Sequence, residues 1–150
     1  MILSISVILL LAAVLATLAR LRRPSSVVVG LDIVEVSDVV RALESPRRER
    51  YLRLVYTDVE RRDCTTASGV EASRLAARFA AKEAVWKTLG APAGASAWLS
   101  VEVAHGTGGE PRVVLHDEAA TAASRLGLRR FSLSLSHEPG HAAAVVVATG

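Results

Sequence analysis

The chain has 150 residues, a formal net charge of +3, 51% hydrophobic residues and one cysteine. That length supports one core and one domain, and the lone Cys64 excludes both an internal disulfide and a paired-thiol metal site, which fits a reducing compartment. The surplus charge comes from Arg20, Arg22 and Arg23. Beyond them fifteen basic residues balance fifteen acidic ones, which removes the charge argument for nucleic-acid binding.

Residues 1–26 read as a segment apart from a domain at 27–150. Residues 2–19 carry no charge. As a helix they would span roughly 27 Å, close to a hydrocarbon core of about 30 Å. The arginines behind this segment would place the domain on the cytoplasmic face, tethered to the membrane. The equal alternative is a start called too early, since Met1 is the only methionine and the strand-like run begins at Val27. Either way the expected location is cytoplasmic.

Val27 to Val34 is a β-branched run, which predicts a strand buried on both faces with Asp32 near its end. Val36, Val39, Val40 and Leu43 have helical spacing over 36–44. Pro46 then opens a second helix to about Tyr56. Thr57-Asp-Val-Glu60 and Ser68-Gly-Val-Glu71 both match the capping box. The second is expected to start the longest helix, about 69–89, with Gly90 as its stop. Trp98 to Ala104 alternates as a strand, Gly106 to Gly109 turns, and Arg112 to Leu115 returns. Asp117 to Leu126 reads as a short helix stopped by Gly127. Phe131 to Ser136 and Ala142 to Thr149 read as strands joined by a turn at 137–140. The order is strand, three helices, hairpin, helix, hairpin. It predicts an α+β fold with helices packed on a mainly antiparallel sheet.

Only two of the eighteen basic side chains are lysines, and both lie in Phe79-Ala-Ala-Lys-Glu-Ala-Val-Trp-Lys87. An ammonium is a compact charge with rotating donors, suited to phosphate oxygen. Glu83 and Lys87 are four apart and share a helix face beside the stripe Leu75, Phe79, Trp86 and Leu89. Such a pair is ordinarily a solvated salt bridge. Here its neighbours are apolar or alanine, which places it near a packed surface. Asp32 is a carboxylate inside an apolar strand, costly unless paired, metal-bound or used as a strand-end cap. Two carboxylates suit Mg²⁺, which takes few protein ligands and completes its shell with water and substrate phosphate. The two lysines would neutralise the remaining charge, so phosphate or diphosphate chemistry is expected.

Three blocks then resemble the holo-acyl-carrier-protein synthases, the small class of 4′-phosphopantetheinyl transferases. They are Val29-Gly-Leu-Asp-Ile-Val-Glu35, Arg78-Phe-Ala-Ala-Lys-Glu-Ala-Val-Trp-Lys87, and Leu133-Ser-Leu-Ser-His137 followed by Ala142-Ala-Ala-Val145. The resemblance implies transfer of the phosphopantetheine arm of coenzyme A to a serine of an apo acyl carrier protein in fatty acid biosynthesis. Adenosine 3′,5′-bisphosphate would leave. It also implies that Asp32 and Glu83 bind Mg²⁺, that Glu83 helps deprotonate the carrier serine, and that Lys87 stabilises diphosphate charge. Lys82 would meet a phosphate oxygen of coenzyme A, and His137 would lie near the nucleotide or be a turn residue. The family is typically trimeric, with each site between two subunits; an apolar excess around Val145-Val-Val147 is compatible with that.

Two departures stand out. Asp38 occupies a position where the family usually has a basic residue for the acidic carrier. Arg41, Arg47, Arg48, Arg50 and Arg53 are nearby substitutes. Gly90-Ala-Pro-Ala-Gly94 replaces a Gly-Thr-Gly loop near the nucleotide. His105, His116 and His141 fit no zinc spacing. Two other readings remain: a membrane-tethered scaffold that only binds a carrier protein, or the same transferase acting on a specialised, polyketide-type carrier.

Overall fold

The computed structural model describes residues 26–90 and 97–150. The candidate anchor at 2–19 and residues 91–94 of the departing loop lie outside them. Among the described residues no helix is long and apolar enough to cross a membrane.

The chain runs β1 (Val27–Glu35), α1 (Val36–Glu44), α2 (Arg48–Val55) and α3 (Asp58–Asp63). A small ladder follows, β2 (Thr65–Thr66) with β3 (Gly69–Val70), and then the long α4 (Ala72–Thr88). A 3-10 turn (Ala97–Ser100) leads into β4 (Val101–His105) and β5 (Pro111–Leu115). The chain ends with α5 (Asp117–Leu126), β6 (Arg130–His137) and β7 (His141–Thr149). The main sheet is antiparallel in the order β1-β7-β6; β4 and β5 form a separate antiparallel hairpin. This is the expected α+β arrangement, with the first and last strands meeting as neighbours.

Helix α4 lies across the inner face of the main sheet. Its buried side is largely alanine: Ala76, Ala77, Ala80, Ala81 and Ala84. Small side chains let the helix approach closely, and Gly30 on β1 lets it come closer still. A Cβ at Gly30 would stand 2.0 Å from the Ala84 carbonyl oxygen, so glycine is needed for space. The core has two parts. One joins α4 to Val101, Val103, Ala144, Val146 and Ala148. The other gathers Val39, Leu52, Tyr56, Cys64 and Leu75 under the short helices.

The local signals fare unevenly. Helix α1 falls where its apolar spacing places it, α5 spans the expected 117–126, and Gly127 ends α5 in the left-handed region at φ 72°. The capping box at Thr57 and Glu60 forms in full. The one at Ser68 does not. Residues 69–70 pair with 65–66, and α4 starts at Ala72 with Glu71 as an N-cap whose side chain makes no capping bond and pairs with Arg74 instead. The first strand is also corrected. Val28, Gly30, Asp32 and Val34 face α4. Val27, Val29, Leu31 and Ile33 alternate outward and are 63%, 61%, 52% and 62% exposed. A β-branched run cannot report which of its two faces is covered within one chain.

Candidate active site

Asp32, Glu83 and Lys87 come together where α4 crosses β1. Asp32 reaches this point because its parity in the strand points it at the helix. Glu83 and Lys87 reach it from one face of α4, four residues apart. The Lys87 ammonium donates to Asp32 Oδ1 at 2.8 Å and to the Leu31 carbonyl at 2.8 Å. The Asp32 side chain is 16% exposed and that of Lys87 51%, so the aspartate is sheltered while the lysine still meets solvent. Glu83 stands beside them. Partial burial raises its pKa, the Asp32 charge raises it further, and Lys87 opposes both. The result is a carboxyl group with enhanced proton affinity at the edge of an accessible site.

Two carboxylates do not form a complete metal cage. Among the described residues no group of three or more His, Cys, Asp or Glu is placed to hold a metal ion. The donor set is still the right kind for Mg²⁺: hard oxygens, few in number, beside an exposed cation that would accept phosphate.

The other lysine lies elsewhere. Lys82 is fully buried, and its ammonium is 2.8 Å from Glu60 Oε2, itself fully buried. It also donates to the carbonyls of Trp98 at 2.8 Å and Val101 at 2.5 Å. Three acceptors use all three N–H bonds, which leaves no donor for a phosphate oxygen. The expected coenzyme A contact is therefore replaced by an internal ion pair. The reason is rotational: consecutive helix residues point about 100° apart, so Lys82 faces inward while Glu83 faces β1.

His137 ends β6, exposed, opposite Ala142, which in turn pairs with Val34. It thus stands two strands from β1, about 10 Å across the sheet. It is not brought to the Asp32 cluster of its own chain. Asp38 is exposed and ion-paired with Arg41. His105 bonds Asp63 at 3.0 Å.

Sequence reasoning missed two contributors. Gly30 carried a readable signal, a glycine inside a β-branched strand two residues before the aspartate. Glu60 was accounted for by its capping box, and nothing local connects it to Lys82.

Residues 28–146 match the 4′-phosphopantetheinyl transferase superfamily. The chain belongs to that superfamily, and within it to the holo-acyl-carrier-protein synthase family. The holo-[acyl-carrier-protein] synthase of Anaeromyxobacter dehalogenans is 47% identical over 123 residues, covering 81% of this chain and 94% of that protein. The crystal structure of the synthase from Neisseria meningitidis superposes with a TM-score of 0.70 at 30% identity, covering 81% of this chain and 96% of that one. The Helicobacter pylori synthase, solved in complex with coenzyme A, gives 0.68 at 26%, covering 80% and 98%.

Proposed function

We propose that this protein transfers the 4′-phosphopantetheine arm of coenzyme A to a serine of apo acyl carrier protein in fatty acid biosynthesis. The observation that carries the reading is the meeting of Asp32, Glu83 and Lys87 from two separate sequence blocks. In the transfer, the serine oxygen attacks the phosphorus that bears the pantetheine arm. The bond from that phosphorus to the leaving oxygen of adenosine 3′,5′-bisphosphate breaks, and the serine proton goes to a base. Glu83 suits that base: burial and the neighbouring Asp32 charge raise its pKa, which strengthens proton acceptance. Lys87 is anchored on Asp32 and the Leu31 carbonyl yet half exposed, so it can stabilise charge on the diphosphate.

Asp32 and Glu83 would hold Mg²⁺, which neutralises diphosphate charge when bound. A trimer is part of the proposal. The outward row Val27, Val29, Leu31 and Ile33 is too apolar to be a solvated sheet face, and a second copy would cover it. His137, remote from its own Asp32, would then serve the site of a neighbouring subunit. The buried, unpaired Cys64 agrees with a cytoplasmic setting.

The test is incubation with coenzyme A and purified apo carrier protein, with and without Mg²⁺, followed by intact-mass measurement. Gain of the phosphopantetheine mass on the carrier serine is expected, dependent on Mg²⁺. No gain under any metal condition rejects the function, and the scaffold reading takes its place. A specialised carrier is favoured by one observation, the neutralising Asp38–Arg41 pair on α1. Relative rates on fatty-acid and polyketide carriers decide it.

A further inference from the structure

The buried side of α4 is rich in alanine, with Leu75, Arg78, Val85 and Trp86 as its larger members. Ala80, Ala81 and Ala84 share a core cluster with Ala144, Val146 and Ala148 of β7 and present only shallow ridges there, which fix a helix position poorly. Yet the site needs a defined position. A slip of one residue would move Glu83 about 1.5 Å along the axis and turn it about 100° away from Asp32. Among the buried side chains of α4, Lys82, next in sequence to Glu83, is held by directional bonds to distant segments and can index the helix.

Its bonds are directional and reach three separate segments. Lys82 bridges Glu60 at the start of α3, the Trp98 carbonyl in the 3-10 turn, and the Val101 carbonyl at the start of β4. Glu60 is equally engaged. It accepts from the Thr57 backbone N–H at 2.8 Å and from the Val103 N–H at 2.9 Å. Four elements are thus tied at one point. Simple stability is a weak explanation, because a well-packed apolar pair of similar volume commonly does as well as a buried ion pair. What charge adds is a single allowed geometry. The same pair also holds the 3-10 turn Ala97–Ser100 against α4.

We propose that Lys82 and Glu60 are positioning residues, which set the rotation and axial register of α4 so that Glu83 and Lys87 face Asp32. This rests on the transferase reading above. If wild-type protein fails to modify the carrier, that reading fails; if wild type is active and the variants are equally active, only the present inference fails.

The experiment compares wild type with Lys82→Met, Glu60→Gln and the double variant. Lys82→Met keeps a long unbranched chain; Glu60→Gln keeps the shape and an acceptor oxygen and is the milder change. Transfer is measured well below each protein's unfolding temperature, where circular dichroism reports the full helical signal, and rates are expressed per folded protein. The expected result is a kcat lower by about tenfold to a hundredfold, the consequence of an ångström-scale misplacement. KM for the carrier should stay unchanged. The double variant should be no slower than the worse single one, since the two groups act as a unit. Hydrogen exchange at the Val103 amide should accelerate in all three. A wild-type kcat in folded variants with only a lower unfolding temperature overturns the proposal. Failure of both single variants to fold does so as well, because the pair would then be structural.

Discussion

Gly30→Ala tests how closely the site depends on helix placement. The added methyl would lie 2.0 Å from the Ala84 carbonyl oxygen, 2.9 Å from its carbon and 3.0 Å from Thr88 Cγ2. Two of those atoms are helix backbone, so no side-chain rotation relieves the clash. A carbon–oxygen contact needs about 3.3 Å, so α4 must withdraw by about 1.3 Å. The Lys87–Asp32 bond is 2.8 Å. The same withdrawal stretches it to about 4 Å, beyond hydrogen-bond reach. Overpacking of this kind costs about 1–3 kcal/mol of stability. Ångström-scale displacement of the acting groups costs about a hundredfold in rate. A hundredfold in rate is about 2.7 kcal/mol in the barrier, comparable to the stability loss. A domain of ordinary stability stays folded after such a loss, so turnover should fall while most of the protein remains native. Intact-mass kinetics on the carrier give the first quantity and thermal unfolding the second. Wild-type turnover in G30A would refute the claim that the close approach of α4 to β1 assembles the site.

Lys87→Arg keeps the charge but replaces a compact ammonium held by Asp32 and the Leu31 carbonyl with a planar fork. Transfer should drop about tenfold or more; undiminished steady-state rates would mean that charge alone suffices there. Glu83 has a raised pKa from burial and from Asp32, so the folded chain binds its proton more tightly than the unfolded chain does. In metal-free protein, its contribution to stability therefore declines as pH rises from the ordinary glutamate value through the raised one. Glu83→Gln should remove that slope, and parallel unfolding curves for the two proteins from about pH 4 to about pH 7 would contradict it. Val29→Glu places a charge in the exposed apolar row of β1. Light scattering should then report monomers, whereas an unchanged assembly mass would show that this face is not the subunit contact.

Local chemistry was readable where one short segment contained the whole cause. The apolar spacing of α1, the Thr57–Glu60 box and the stop of α5 at Gly127 depend on neighbours within a few residues. The candidate site was readable for a related reason: Glu83 and Lys87 share one helix face by spacing alone, and Asp32 is conspicuous as a charge in an apolar strand. The failures have a common cause too. Ser68 looked like a cap, but residues beside it paired with Thr65 and Thr66. The run at 27–34 looked buried on both sides, but its outer half has no cover among the described residues.

The two lysines divide the matter most clearly. The sequence by itself determined that two ammonium groups flank one glutamate on the longest helix, and that such a set beside Asp32 suits a metal and a diphosphate. Only the tertiary structure decided which lysine does what. Lys87 lies on the face that meets β1 and joins Asp32; Lys82, five residues earlier, turns inward and is fully used by Glu60 and two carbonyls. Helix periodicity fixes the angle between two side chains. What waits at the end of each depends on chain segments dozens of residues away, brought there by packing.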